Sequence, residues 1–181
     1  MTKDFLKVLL AENEISARVE QLAAEISKDY TDKEIIAVCI LKGATLFYSD
    51  LIRRLNIPVK LDFMAISSYG YGTESTGEIR IKKDMENDIC NAHVLIVEDI
   101  IDTGCTLSNL IEMLKQRRPA SIKTVCLLDK PERRKTSIKP DYCGFVIEDN
   151  FVVGYGLDYA EKYRNLPYIA ILEPKIYEKT M

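Results

Sequence analysis

Two spacings of hydrophobic residues take turns along the chain, and their alternation predicts an α/β fold. Apolar residues recur every three or four positions between Glu14 and Tyr30, which is the spacing of an amphipathic helix. The next run, Ile35–Leu41 (IIAVCIL), is apolar throughout, as a strand covered on both faces would be. Helical spacing returns over Ala44–Leu55, and a strand-like alternation follows over Val59–Ile66.

The second half of the chain continues this order. The pattern predicts strands at 78–82, 94–97, 122–128 and 168–172, and a helix at 107–114. Strands that alternate with helices are joined by right-handed crossovers and form a mostly parallel sheet. Such a sheet binds ligands beyond the carboxyl ends of its strands. Because no internal repeat or low-complexity linker interrupts the order, we expect a single domain over residues 1–181.

One segment breaks both spacings. Residues 67–78, SSYGYGTESTGE, are small, polar and rich in glycine, so they predict a mobile loop. The Gly-Tyr-Gly at 70–72 lacks the third glycine of a dinucleotide-binding fingerprint, and so does the one at 154–156.

Composition and charge exclude several classes of protein. The chain is 47% apolar and 29% charged, a balance typical of globular proteins. Its net charge of −3 gives no overall attraction to nucleic acid or acidic membranes, so we interpret the basic clusters 115–118 and 133–135 as solvated surface. The N-terminal apolar stretch is too short for a signal peptide, and no segment approaches membrane-spanning length. We therefore expect a cytoplasmic protein without nucleic-acid or membrane partners.

Cysteine and histidine content narrows the chemistry further. The five cysteines are odd in number and show no CxxC spacing, which argues against a disulfide framework and a zinc site. The only histidine, His93, precedes the strand at 94–97 and is predicted to be structural. A Ser-His-Asp hydrolase is therefore disfavoured.

The string VLIVEDIIDTGCTL at 94–107 joins a buried strand to a glycine turn. Residues Asp102–Thr106 predict a turn into a helix, whose first N–H groups lack internal partners and face outward with the positive end of the helix dipole. Gly104 allows the backbone to come close, and Thr103 and Thr106 add hydroxyl donors. These groups predict a small phosphate cradle, although the GxxxxGK[ST] pattern of a Walker loop is absent.

The acids before this turn require a different ligand. Glu98 and Asp99 would repel a phosphate, so we expect them to face sugar hydroxyls or a magnesium ion. A phosphate in the turn and a diol on the acids describe a ribose 5-phosphate. The alternative is an N-capped helix after a strand, with the acids merely solvated at the end of the sheet.

The same string resembles the ribosyl-phosphate signature of the purine phosphoribosyltransferases of hypoxanthine-guanine type. Four other segments match in the same order: LKG at 41–43, SSYG at 67–70, LLDK at 127–130 and FVVGYGLDYAEKYRNLP at 151–167. The resemblance covers a core of about 35 to 172. It implies a type I phosphoribosyltransferase fold: a mostly parallel central sheet flanked by helices, a small hood over the active site, and a lid loop at about 67–78. One departure is Cys105, where relatives often carry lysine, so cationic help to the phosphate is lost.

The resemblance also implies an activity. Such enzymes transfer a ribosyl phosphate from 5-phosphoribosyl 1-diphosphate to hypoxanthine or guanine, giving IMP or GMP and diphosphate. Mg²⁺ is the implied cofactor, and the transition state resembles an oxocarbenium ion at the ribose C1.

Asp102 would be the general acid/base near N7 of the purine. Glu98 and Asp99 would bind the ribose hydroxyls and the metal. Five consecutive residues would bind the ribose 5-phosphate: Asp102, Thr103, Gly104, Cys105 and Thr106.

Diphosphate and lid residues are implied in the same way. Lys42 and Gly43 match the diphosphate loop, with a cis peptide bond between Leu41 and Lys42. Arg164 would also bind diphosphate, since its guanidinium is planar and always charged. Ser68 and Tyr69 match the lid, whose closure would keep water from the reacting carbon.

Four residues match the family's purine site. Lys130 would donate to the 6-oxo group, which selects 6-oxopurines over adenine. Phe151 would stack on the base, and backbone atoms of Val152 would contact its edge. Asp158 would lie beside the base and bind a second magnesium. A homodimer or homotetramer is implied, because relatives form both.

Two other functions remain open. One is a regulator with the same fold that binds nucleotide or RNA without transferring anything. The other is a transferase acting on xanthine, on guanine alone, or on a pyrimidine. The phenylalanine and lysine of the base site favour a 6-oxopurine over a pyrimidine, but they do not rank hypoxanthine, guanine and xanthine.

Overall fold

Two sheets and four α-helices make up the computed structural model, which describes residues 4–68 and 79–177. The strands are β1 (Phe5–Leu10), β2 (Ile35–Leu41), β3 (Val59–Ser68), β4 (Ile79–Lys83), β5 (His93–Ile101), β6 (Ser121–Asp129), β7 (Tyr142–Val146), β8 (Val152–Val153) and β9 (Ile169–Leu172). The helices are α1 (Glu12–Asp29), α2 (Thr45–Ile52), α3 (Cys105–Lys115) and α4 (Pro174–Tyr177), with one 3-10 turn at Pro131–Arg133. None of these helices is long and apolar enough to cross a membrane.

The larger sheet has the strand order β4-β3-β2-β5-β6-β7. All its neighbours run parallel except β4, which pairs antiparallel with β3 at the edge. Successive residues of β2 enter two different hydrophobic cores, one shared with α1 and α2 and the other with α3. Helices therefore cover both faces of the sheet, which confirms the predicted α/β fold and explains why β2 is apolar throughout.

A smaller antiparallel sheet, in the order β1-β9-β8, corresponds to the hood that the resemblance implies. The strand predicted at 168–172 is present as β9, but it pairs with β1 and β8 rather than with the larger sheet. The outward face of β1 carries the exposed side chains of Leu6 and Val8.

Three predicted boundaries are wrong. Strand β5 does not end at Val97 but continues to Ile101, because its pairing with β6 persists to that residue. His93 is the first residue of β5 rather than a residue before it, and its Nδ1 lies 2.8 Å from the Ser121 hydroxyl. Residues 67 and 68 of the predicted loop belong to β3, where they pair with β4. Residues 69–78 lie outside the described part of the chain.

Candidate active site

The carboxyl ends of β2, β5 and β6 meet at one edge of the larger sheet, because these strands are parallel. The turn after β2 contains Lys42 and Gly43, and the peptide bond between Leu41 and Lys42 is cis, as the resemblance implies. Strand β5 is followed by Asp102, and β6 by Lys130. Residues that are distant in the sequence are thus brought to the same edge.

The turn between β5 and α3 forms a small cavity of about 120 Å³. Its lining includes Glu98, Asp102, Thr103, Gly104 and Thr106. Gly104 precedes the helix with φ of 78°, and a Cβ there would lie 2.6 Å from both the Thr136 hydroxyl and the Ile138 side chain. A larger residue would therefore push the turn away from residues 134–138, and the cradle depends on this glycine.

Glu98 and Asp99 lie in the last part of β5, half-buried and next to each other. Burial raises the pKa of Glu98 well above its usual range, and the neighbouring Asp99 charge adds to the effect. Burial also raises the pKa of Asp99 to about 6, although backbone N–H donors, including that of Ile100 at 2.8 Å, and the charge of Arg164 oppose the rise. The two carboxylates thus lie in a site that disfavours their charged forms.

This acid pair fits a magnesium ion that is shared with a substrate. Among residues 4–68 and 79–177, no group of three or more metal-binding side chains is found. Magnesium is usually held by one or two carboxylates together with water and substrate phosphates, so two acids suffice. Burial penalises both charges, and a neighbouring acid adds to the penalty in each case: Asp99 for Glu98, and Asp158 for Asp99. A cation beside Glu98 and Asp99 would relieve them.

The segment 151–168 folds back against the turn after β2. A Cβ on Gly156 would collide with the carbonyl oxygen of Gly43, and a Cβ on Gly43 would collide with the Asp99 carboxylate. Gly43 is therefore packed between the acid pair and the 151–168 segment. Lys42 lies nearby and pairs with Glu161 at 3.1 Å between Nζ and Oε2.

Arg164 makes a hydrogen bond and an ion pair within the 151–168 segment. Its Nη1 donates to the carbonyl oxygen of Gly156 at 2.8 Å, and its Nη2 lies 2.7 Å from Oδ1 of Asp158. Asp158 also accepts the backbone N–H of Glu161 at 2.8 Å. Both side chains are close enough to Asp99 to influence its pKa, Arg164 lowering it and Asp158 raising it. Lys42, Gly43, Arg164 and Asp158 therefore share the edge with the acid pair.

Lys130 follows β6 and lies beside the end of β5. It is only 6% exposed, and its backbone N–H donates to the carbonyl oxygen of Ile101 at 2.9 Å. Its ammonium lies 3.5 Å from Oδ1 of Asp149. Arg133 pairs with the same oxygen at 3.4 Å and, through Nε, with Oδ1 of Asp102 at 3.1 Å.

This arrangement corrects the interpretation of residues 133–135 as solvated surface. Arg134 is largely buried, pairs with Asp129, and donates to the carbonyl oxygens of Asp102 and Ile138 at 3.1 and 2.7 Å. Arg133 touches Asp102 directly. Sequence reasoning missed both residues, together with Asp149, because a run of charges before a loop gives no sign of which charge turns inward.

Phe151 and Val152 start the 151–168 segment. Val152 is buried, whereas Phe151 is 39% exposed and stacks on Tyr177 with ring centroids 5.0 Å apart. Tyr159 meets the same ring edge-on at 5.7 Å. Phe151 therefore keeps exposed ring surface beside two aromatic neighbours, which suits it to a planar ligand. Of the two lid residues, Ser68 ends β3 and Tyr69 lies outside the described residues.

Comparison with known proteins agrees with this geometry. The family model of the phosphoribosyl transferase domain matches residues 7–160. The chain is 51% identical over 178 residues to the hypoxanthine-guanine phosphoribosyltransferase of Bacillus subtilis, covering 98% of this chain and 99% of that protein. It is 49% identical to the bifunctional protein TilS/HprT of Listeria innocua, of whose length it covers only 28%.

A solved structure gives the same answer. The chain superposes on the crystal structure of a hypoxanthine phosphoribosyltransferase from Staphylococcus aureus with a TM-score of 0.95 and 51% identity, covering 98% of this chain and 96% of that one. The sequence comparison and the fold comparison therefore point to the same family. The chain belongs to the phosphoribosyltransferase family, in its hypoxanthine-guanine branch.

Proposed function

We propose that this chain is a purine-salvage transferase that makes IMP and GMP from 5-phosphoribosyl 1-diphosphate and hypoxanthine or guanine. The observation that carries the proposal is the position of Gly43, packed between the Asp99 carboxylate and Gly156. This packing joins the turn after β2, the acid pair and the 151–168 segment into one site. A nucleotide-binding regulator would not need these three parts together, and the relatives named above are enzymes.

The sugar and its phosphates would be held along the sheet edge. The 5-phosphate would lie in the turn, where Thr103, Gly104, Cys105 and Thr106 offer N–H and hydroxyl donors. Glu98 and Asp99 would accept hydrogen bonds from the ribose hydroxyls. The diphosphate would lie against a cationic group: Lys42, the backbone of Gly43, and Arg164. When bound, Mg²⁺ would offset negative charge on the departing diphosphate, with Glu98, Asp99 and Asp158 as its protein oxygens.

Asp102 would handle the proton. In the forward direction N9 of the purine bonds to C1 of the ribose while the bond from C1 to the diphosphate oxygen breaks. The positive charge that develops on the base is removed as the N7 proton passes to the Asp102 carboxylate. Asp102 directly follows β5 and lines the cavity proposed for the 5-phosphate, which supports a position of this carboxylate beside the reacting sugar.

The base would be read on the opposite side of Asp102. The Lys130 ammonium would donate to the 6-oxo group, which adenine lacks, and Phe151 would stack on the ring. Backbone atoms of Val152 would contact the base edge. These contacts support a 6-oxopurine and leave the order among hypoxanthine, guanine and xanthine to measurement.

Three further points complete the proposal. The protein would work in the cytoplasm as a homodimer or homotetramer. Residues 1–181 would form one domain. Ser68 and Tyr69 would belong to a lid over the reacting carbon, which would limit its reaction with water.

The function is tested by supplying each purine separately. Purified protein is incubated with 5-phosphoribosyl 1-diphosphate, Mg²⁺ and hypoxanthine, guanine, xanthine or adenine, and nucleotide formation is followed by absorbance. We expect IMP and GMP to form, adenine to react poorly, and a chelator to stop the reaction. Absence of nucleotide with every 6-oxopurine, or preference for adenine, would overturn the proposal.

A further inference from the structure

Four charged side chains of alternating sign lie in a row beside the base site. They run in the order Lys130, Asp149, Arg133 and Asp102, joined by contacts of 3.5, 3.4 and 3.1 Å. The two ends of the row are the residues that the proposed function assigns to the purine. The two in the middle, Asp149 and Arg133, have no role in that assignment.

The purine explains why the ends of the row should be held together. In a 6-oxopurine, O6 and N7 lie side by side on one edge of the base. Lys130 would contact O6 and Asp102 would contact N7, so the spacing between these side chains must match two neighbouring atoms. A lysine has four flexible methylene links and does not hold such a position by itself. Asp149 and Arg133 provide the fixed connection.

The backbone fixes Asp149 in this place. The N–H of Ile147 donates to the carbonyl oxygen of Asp129 at 2.9 Å, which attaches the end of β7 to the end of β6. A tight turn follows, in which the N–H of Asn150 donates to the carbonyl oxygen of Glu148 at 2.8 Å. Asp149 projects from this turn toward Lys130, the residue after β6.

Burial makes the contact with Asp149 important for Lys130. The Lys130 side chain is 7% exposed, whereas that of Asp149 is 48% exposed. An ammonium that is withdrawn from water needs a partner of opposite charge. Asp149 supplies this charge from the solvent side, so it sets the direction in which the buried ammonium points.

We propose that Asp149 is a specificity-determining positioning residue, which aims Lys130 at the 6-oxo group and influences base recognition through that lysine. The inference rests on the proposed function, because it takes the purine contact of Lys130 as given. Asp149 itself does not touch the reacting atoms. Its effect should therefore appear in the recognition of the base and leave the binding of 5-phosphoribosyl 1-diphosphate unchanged.

The test is a double-mutant cycle of Asp149→Asn and Lys130→Gln, with Glu148→Gln as the control that removes an exposed carboxylate one residue away. For Asp149→Asn we expect the hypoxanthine KM to rise roughly tenfold, as when a charge-assisted contact loses its geometry. The hypoxanthine-to-adenine rate ratio should fall with it. The KM for 5-phosphoribosyl 1-diphosphate and the thermal midpoint should stay at wild-type values, and Glu148→Gln should behave as wild type.

The double variant gives the decisive comparison. If Asp149 acts through Lys130, the double variant is no worse with hypoxanthine than Lys130→Gln alone. Losses that add, or wild-type kinetics of Asp149→Asn, would overturn the inference. So would an equal loss of diphosphate-substrate binding and thermal stability in Asp149→Asn, since that pattern indicates a general structural role.

Failure of the proposed function gives a different result. If the wild-type protein transfers nothing to any 6-oxopurine, the same cycle is measured on GMP binding by calorimetry. A roughly tenfold weaker affinity in Asp149→Asn, with no further loss in the double variant, supports the positioning role independently of turnover. Unchanged GMP affinity in Asp149→Asn overturns it.

Discussion

The two edges of the larger sheet both carry ion pairs, but within residues 4–68 and 79–177 the carboxyl edge also holds two half-buried acids that have none. At the amino-terminal edge, Lys123 contacts Oδ2 of Asp29 and the hydroxyl of Tyr142, each at 2.9 Å. Tyr142 also donates to Asp29 at 2.7 Å. At the carboxyl edge, Glu98 and Asp99 stand side by side, and no ion pair with either is found in the described ranges 4–68 and 79–177.

The pKa values of the acids express this difference. The hydrogen bond from Tyr142, followed by the contact with Lys123, lowers the pKa of Asp29. Burial instead raises the pKa of Asp99 to about 6 and that of Glu98 well above its usual range. Paired charges contribute to stability, whereas buried acids without an ion pair mark a candidate ligand site. We therefore interpret the Asp29 cluster as stabilising, and the unpaired acids Glu98 and Asp99 as the candidate functional charges.

The largest effect should follow from removing the proposed proton carrier at the functional edge. We expect Asp102→Ala to slow transfer to hypoxanthine by about 10²- to 10⁴-fold, the range typical of a lost general acid/base. Thermal stability and binding of 5-phosphoribosyl 1-diphosphate should be retained. Steady-state kinetics and a thermal melt check both points, and near wild-type turnover would show that Asp102 does not carry the proton.

The second largest effect should be on base selectivity, when Lys130 is replaced. Lys130→Gln replaces an ammonium by an amide, which presents an acceptor as well as donors to the base. We expect discrimination of hypoxanthine over adenine to fall by about tenfold or more, because a site built around one hydrogen bond rejects the wrong analogue strongly. The ratio of kcat/KM for the two bases is the measurement. An unchanged ratio would mean that Lys130 does not read the 6-position.

For one of the unpaired acids at the carboxyl edge, the comparison predicts that stability and activity change in opposite directions. Asp99→Asn removes a half-buried charge next to Glu98, so in metal-free buffer we expect the free energy of unfolding to rise by about 1–2 kcal/mol at neutral pH. Activity should fall in the same variant. Denaturant titration of both proteins, with a chelator present, measures the change. A destabilised Asp99→Asn protein would indicate that this carboxylate is already compensated within the fold.

The fold could be predicted where the hydrophobic pattern is local. Strand β2 is a continuous apolar run, β6 contains one at 125–128, and α1 has a clear helical spacing, so the hydrophobic pattern is sufficient to identify them. Strand β1 escapes this reasoning because only its partner β9, about 160 residues away, makes it a strand. The extension of β5 escapes it too, because acids near a strand end look like a boundary until the pairing with β6 is seen.

The site divides in the same way. The turn at 102–106 lies within one short string, so the sequence alone is enough to predict a phosphate cradle there. The contacts of Asp149 and Arg133 depend on how the end of β7 is attached to the end of β6, which no local pattern reveals. Likewise, the stacking of Tyr177 on Phe151 joins residues whose spacing carries no signal. Sequence reasoning therefore finds functional residues that are neighbours in the chain. It misses those that only strand pairing and tertiary contacts bring together.

The smallest effect should come from the stabilising edge. Asp29→Asn weakens the contacts to Lys123 and Tyr142, so we expect a small drop in the thermal midpoint at neutral pH and unchanged kinetics. The folded state holds the pKa of Asp29 below its ordinary value of 3.8, so its contribution is present above that pH. As the pH falls through the lower folded-state value, Asp29 becomes protonated and the contribution disappears. The melting curves of the two proteins should therefore converge below about pH 4, whereas a gap that widens in acid would contradict the matched-charge interpretation of this edge.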